Sequence, residues 1–117
     1  MRHHDRNKKF GRVKSQRVAL MRSLARSLIL SGAIVTTEAK AKALRPFVER
    51  LITSGKKNTL ATKRNLSSEF LGARDMSKKI HELADRYGKR SGGYTRVTLL
   101  GRVGKRVGEM ARIELIA

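Results

Sequence analysis

The chain has 117 residues, 28 of them Lys or Arg and 9 Asp or Glu, giving a formal charge of +19 with 39% apolar residues and no cysteine. That length supports one modest core, and the missing cysteines exclude a disulfide framework and any thiolate-ligated metal. No apolar run approaches the roughly 20 residues that span a bilayer, and the start Met1-Arg2-His3-His4-Asp5 lacks a signal peptide's apolar stretch, so a soluble cytoplasmic protein without membrane contact is expected.

In chain order, residues 1–14 read as a basic, extended N-terminal segment. They hold Arg2, Arg6, Lys8, Lys9, Arg12 and Lys14 but past Met1 only Phe10, the one aromatic, and Val13 as apolar side chains. Such a stretch cannot bury enough apolar area to offset its ordering entropy, so a partner is expected to order it. Residues 15–117 form the remaining single α+β domain. Ser15 is the expected N-cap of a first helix whose apolar stripe is Val18, Met21, Leu24, Ala25, Leu28 and Ile29, with Gly32 as its left-handed stop.

A short strand is predicted over Ala33–Thr36. Thr37 should cap a second helix carrying Ala41, Leu44, Phe47, Val48, Leu51 and Ile52, ending near Ser54-Gly55 and kinked at Pro46. Asn58 or Thr59 should cap a third helix with Leu60, Leu66, Phe70 and Leu71 inward and Gly72 as its end. Asp75 should cap a fourth, with Met76, Ile80, Leu83, Ala84 and Tyr87 on one face and Gly88 at its end. The tail then changes period. Tyr94–Leu100 and Met110–Ile116 alternate at two residues and read as strands joined by a basic hairpin loop over 101–109. The predicted architecture is four helices packed on a small mixed three-stranded sheet.

Charge is not spread evenly over this plan. Residues 6–37 and 86–108 contain no acid and are dense in Arg and Lys. Concentrated positive charge of this kind marks polyanion-binding surfaces, most simply for nucleic acid. Three Phe and two Tyr are too few, and too core-like in spacing, to build a base-stacking platform, which favours recognition through phosphates and folded shape.

The sharpest local feature is Lys89-Arg90-Ser91-Gly92-Gly93-Tyr94-Thr95-Arg96. Paired glycines let backbone N–H groups approach a phosphate, with Arg90 and Arg96 as clamps and Tyr94 sharing a strand face with Arg96. The alternative is that Gly92-Gly93 simply turns the chain and Tyr94 packs at a sheet edge; residue types alone weigh the two evenly. His3 with the amino terminus could wrap a square-planar metal, but no further ligand cluster supports a metal site. Scattered acids, no P-loop and no nucleophile–base pair argue against catalysis, and no cofactor is expected. A nucleoid-type DNA-compacting protein and a small basic nuclease are the rival readings.

Several pieces together resemble one family. They are Met1-Arg2-His3, Phe10-Gly11-Arg12, Ala19-Leu20-Met21-Arg22-Ser23-Leu24-Ala25, Ile34-Val35-Thr36-Thr37, Lys40-Ala41-Lys42-Ala43-Leu44-Arg45, Gly92-Gly93-Tyr94-Thr95-Arg96 and Ile113-Glu114-Leu115. In this order the chain resembles the bacterial large-subunit ribosomal protein L-seventeen family, with Gln16 standing where that family commonly has histidine. The resemblance implies a structural protein that binds large-subunit (23S) rRNA near the nascent-chain tunnel exit, beside neighbouring ribosomal proteins, with no homo-oligomer expected. It implies rRNA contact at Arg2, His3, Arg12, Arg17, Arg22, Lys40, Lys42, Gly92, Gly93, Tyr94 and Arg96. The basic residues Arg6, Lys8, Lys9, Lys14 and Arg90 complete the expected binding set.

Overall fold

The computed structural model describes residues 9–57, 59–70, 74–102, 104 and 108–116. Four helices and three strands follow in the order α1 Lys14–Ser31, β1 Ala33–Thr37, α2 Glu38–Gly55, α3 Leu60–Glu69, α4 Arg74–Arg86, β2 Thr95–Gly101 and β3 Met110–Leu115. The α+β class therefore stands.

α1 starts earlier than its apolar pattern suggests. Its N-cap is Val13, not Ser15, and no side chain caps it. Instead the Arg17 N–H closes the first turn on the Val13 carbonyl at 2.9 Å, and the Arg17 Nη1 donates to the Arg12 carbonyl at 2.7 Å. The guanidinium ties the preceding segment to the helix, but as a donor only it cannot accept from the first-turn N–H groups as a serine hydroxyl would. Only the C-terminal half of the stripe is in the core: Ala25, Leu28 and Ile29 are buried, whereas Val18 is exposed. Gly32, at φ 85°, ends the helix as predicted, its N–H bonding to the Leu28 carbonyl at 2.7 Å. The Gly32 carbonyl in turn accepts from Leu115 N–H at 2.9 Å, joining the helix stop directly to the sheet.

Thr37 caps α2 as expected, its hydroxyl accepting from Lys40 N–H at 3.4 Å, with Glu38 favourably placed in the first turn. The helix is assigned unbroken through Pro46 to Gly55. It forms the centre of the helical layer, against the other three helices and all three strands. At its end Gly55 is buried against α4: a Cβ there would lie 3.1 Å from Ile80 Cγ2 and 3.3 Å from Ala84 Cβ. Thr59, not Asn58, caps α3, accepting from Thr62 N–H at 3.2 Å. Leu66 and Phe70 enter the core, but Leu60 in the first turn of α3 is 63% exposed. Leu71 and Gly72 lie outside the described residues. Asp75 falls in the first turn of α4 and is not its cap; the predicted face Met76, Ile80, Leu83, Ala84 and Tyr87 is entirely buried.

The sheet order is β1-β3-β2, and both ladders are antiparallel where a mixed sheet was expected. The last strand inserts between the first two, so β1 and β2 run the same way without touching. The hairpin of β2 and β3 slips register between Leu99 and Gly101. One face, with Ala111 and Ile113 buried and Ile34, Val97 and Leu115 packed at its margin, carries the helices. The other face is open to solvent, with Val35, Arg96, Thr98 and Arg112 exposed.

Candidate nucleic-acid interface

The segment between α4 and β2 is held from below by three aromatic and hydroxylic anchors. Tyr94 is fully buried (0% exposed), its ring 5.2 Å from that of Tyr87 and inclined by 32°. Its hydroxyl lies 3.2 Å from Thr53 Oγ1 and donates to the Arg90 carbonyl at 3.4 Å. The Tyr87 hydroxyl donates to the Ile116 carbonyl, and Ile116 N–H returns a bond to the Tyr94 carbonyl at 2.9 Å. Thr95, also buried, donates to Glu49 Oε1 at 2.9 Å. Together these bonds order both the entry to β2 and the loop before it.

Tyr94 therefore points inward and Arg96 outward, and the expectation that they share an outward face is corrected. Tyr94 precedes β2, and both it and Thr95 are buried, so alternation begins only at Arg96. A ring with no exposed surface cannot meet a base. The packing alternative is the one the structure adopts for this residue.

Lys56 completes the anchor, and sequence reasoning missed it. Its Nζ lies 4.8 Å from the centroid of the Tyr94 ring and donates to the Arg90 carbonyl. Burial pushes the Tyr94 phenol up, but the Lys56 and Thr53 hydrogen bonds and the Lys56 charge outweigh it, leaving the group below its ordinary value of 10.0. Glu49 opposes this with a smaller upward push. Only the position of Lys56 just past a helix-ending glycine could have drawn notice in sequence, and its partner lies 34 residues away.

Above these anchors the loop is open. Gly93 sits at φ 67°, and a Cβ on either Gly92 or Gly93 would meet nothing within 4 Å. Only Gly93 needs to be glycine for its backbone; Gly92 leaves approach space. Arg90 Nη1 donates to the Gly93 carbonyl at 3.1 Å, curling its side chain over the turn. The Arg96 side chain is 64% exposed, with Glu114 Oε1 at 3.8 Å and Arg112 ion-paired with the other oxygen of that carboxylate at 3.5 Å. Two guanidiniums thus share one acid on the open sheet face. The surface pair neutralises little of the charge available to an incoming phosphate.

The remaining predicted residues divide. Arg2, His3, Arg6 and Lys8 lie outside the described residues. Lys9 and Lys14 are exposed, while Arg12 and Arg17 each spend one donor on a backbone carbonyl at the α1 entry, Arg12 on that of Phe10 at 2.7 Å. A guanidinium has five donors, so both retain several. Arg22 is paired with Glu69 at 3.3 Å and Lys42 with Glu38 at 2.6 Å, so a phosphate at either must compete with a carboxylate. Lys40 and Lys42 stand at the N-terminal end of α2 and Lys56 at its far end, about 24 Å from Lys40 at 1.5 Å per residue. The charges form a dispersed surface, not one pocket.

Among the described residues no group of three His, Cys, Asp or Glu converges to hold a metal, and no helix is long and apolar enough to cross a membrane.

Residues 20–116 match the family model described as ribosomal protein L17. A relative named large ribosomal subunit protein bL17 from Hydrogenobaculum sp. (strain Y04AAS1) is 55% identical over 100 residues, covering 86% of this chain and 85% of its own. Its namesake from Gemmatimonas aurantiaca is 49% identical over 117 residues, 99% and 98% of the two chains, and that from Staphylococcus epidermidis 44% over 119, covering 93% and 95%. This chain belongs to the ribosomal protein L17 family.

Proposed function

We propose that this protein is a structural constituent of the large ribosomal subunit, working in the cytoplasm, without catalytic activity or cofactor. It binds large-subunit rRNA near the nascent-chain tunnel exit and stabilises the RNA's folded form. The observation that carries the RNA contact is the Arg90–Arg96 segment, tied down by Tyr94, Tyr87 and Lys56 while Arg90, Gly93 and Arg96 remain open to a phosphate backbone. Backbone N–H groups at a glycine turn and two guanidiniums suit a folded, phosphate-dense polyanion.

Lys9 and Lys14, with Arg2, His3, Arg6 and Lys8 of the basic segment 1–14, extend the contact, and Lys40 provides another away from the loop. Arg12 and Arg17 contribute through donors not used at the helix entry, and Arg22 and Lys42 by exchanging their carboxylates. Tyr94 leaves the set of direct contacts and becomes a support. Val35, Leu99 and Leu100 are exposed apolar side chains on the sheet and its hairpin, suited to neighbouring ribosomal proteins.

The test is co-sedimentation with large subunits through a moderate salt wash, together with competition between large-subunit rRNA and duplex DNA. Retention and a clear preference for rRNA are expected. Equal competition by duplex DNA would replace this reading with a nucleoid-type role. Cross-links to nascent chains from the bound protein test the tunnel-exit position.

A further inference from the structure

A second concave surface lies between α3 and α4, outside every residue assigned above. The two helices enclose an open groove of about 770 Å3, within the range of roughly 300–1,000 Å3 typical of ligand clefts. The small side chains Ser67 and Ser77 line it, the latter almost fully buried, and exposed Lys63, Arg64 and Lys78 stand along it. His81 forms another part of the wall, fixed by its Nδ1, which lies 2.8 Å from the Gly55 carbonyl and must therefore donate to it.

The spacing explains the groove. On α3, residues 60, 63, 64 and 67 recur at helical intervals and form one stripe, while Leu66 and Phe70 turn into the core. α4 buries its own apolar face and offers Ser77, Lys78 and His81 at the flank. Serines at 67, 68 and 77, where larger side chains would fill the gap, leave the groove open.

No carboxylate lines this groove, and among the described residues none of Lys63, Arg64 and Lys78 takes part in an ion pair. Elsewhere on the protein Arg22, Lys42, Arg45, Arg96 and Arg112 each have an acidic partner. Three unneutralised charges facing one concavity repel each other, and an anionic occupant relieves that repulsion.

We infer that the α3–α4 groove is a second nucleic-acid contact, in which Lys63, Arg64 and Lys78 neutralise consecutive phosphates of an RNA strand while serine hydroxyls donate to phosphate or sugar oxygens. This rests on the rRNA-binding reading above and adds to it a site carried by two helices that lie mostly between the acid-free blocks. Charge complementarity selects RNA over a polypeptide occupant, which would need to be acidic.

Two experiments on the full-length chain test it. In the first, the triple variant K63Q/R64Q/K78Q is compared with R45Q/R50Q/K57Q, which removes two cations from α2 and one just past its end. Binding to a large-subunit rRNA transcript is followed against salt concentration. The groove variant should lower the slope of log affinity against log salt by about 2–2.7, at roughly 0.7–0.9 per phosphate contact, and the control by less than half as much. Equal losses in the two variants, or no change in the groove variant, would overturn the inference.

In the second, Ser68→Cys provides the single cysteine of a chain that otherwise has none, and a tethered hydroxyl-radical source is attached there. A discrete set of rRNA cleavages is expected in assembled subunits. Absence of RNA cleavage beside cross-linking to a ribosomal protein would instead make the groove a protein contact. If wild-type protein itself shows no preference for rRNA over duplex DNA, the rRNA reading fails. If that preference holds while the groove tests fail, only the groove assignment falls.

Discussion

Lys56→Met separates support of the proposed RNA-binding loop from direct contact with RNA. The Lys56 ammonium is aimed at the Arg90 carbonyl and the Tyr94 ring, so its charge acts inside the protein. Its cation–π contact contributes about 0.5–1 kcal/mol at this partly exposed position. The charge-assisted bond to the carbonyl, discounted for solvent screening, adds about 0.5–1 kcal/mol. Losing both destabilises the ordered loop by about 1–2 kcal/mol, which lowers rRNA affinity by roughly 5–30-fold if that order is needed for binding. The salt slope should stay at the wild-type value, because no phosphate contact is lost. Arg96→Gln should do the opposite, reducing the slope by about 0.7–0.9. Both quantities come from filter binding or fluorescence anisotropy over a potassium chloride series. A slope for Lys56→Met that falls as far as that for Arg96→Gln would refute the reasoning, since it would make Lys56 a phosphate ligand. Unchanged affinity would refute it equally. A spectroscopic companion is the phenolate absorbance of Tyr94. Folding lowers its pKa from the ordinary 10.0, so its ionisation favours the folded state only as pH rises into the alkaline range and contributes nothing at neutral pH. Removing Lys56 should move that titration upward, and an unmoved titration would show that the ammonium is not beside the phenol.

Other substitutions test the remaining parts of the design. Gly93→Ala forces a Cβ onto a residue at φ 67° and should cost about 1–2 kcal/mol in chemical denaturation, whereas Gly92→Ala should weaken RNA binding with little loss of stability. Equal stability losses would mean that the turn is not set by the left-handed residue. Gly55→Val drives a branched side chain into Ile80 and Ala84 and should cost more than about 2 kcal/mol in the same assay, and a neutral result would show that α2 and α4 can separate. Deleting residues 1–8 should reduce the salt slope and rRNA affinity while leaving the circular dichroism spectrum of the body intact, because the α1 entry is closed by contacts among Phe10, Arg12, Val13 and Arg17. Loss of the folded spectrum would place those residues in the core.

Local chemistry was readable from the chain alone wherever a short-range interaction decided the outcome. Gly32 ends α1 because only a left-handed residue closes that turn, and Thr37 caps α2 through a hydroxyl that accepts from the N–H three residues later. The five-residue face of α4 is buried because one period places it there whatever lies opposite. Charge concentration named a polyanion for the same reason, since net charge needs no coordinates.

Tertiary structure decided what depends on residues distant in sequence. Alternation in the last two strands could not say that β3 would lie between β1 and β2, nor therefore that both ladders would be antiparallel. Apolar periodicity could not tell that Leu60 and Val18 would stay exposed. Tyr94 looked equally fit for base or core, and its contact with Thr53, 41 residues earlier, turned it inward. Lys56 acquired its role through a carbonyl 34 residues away, and the α3–α4 groove exists only where two helices diverge. The sequence by itself determined the elements, most of their ends and the sign of the partner. That Lys56 braces the loop was settled only by packing, because a side chain's free energy depends on the neighbours that folding brings to it.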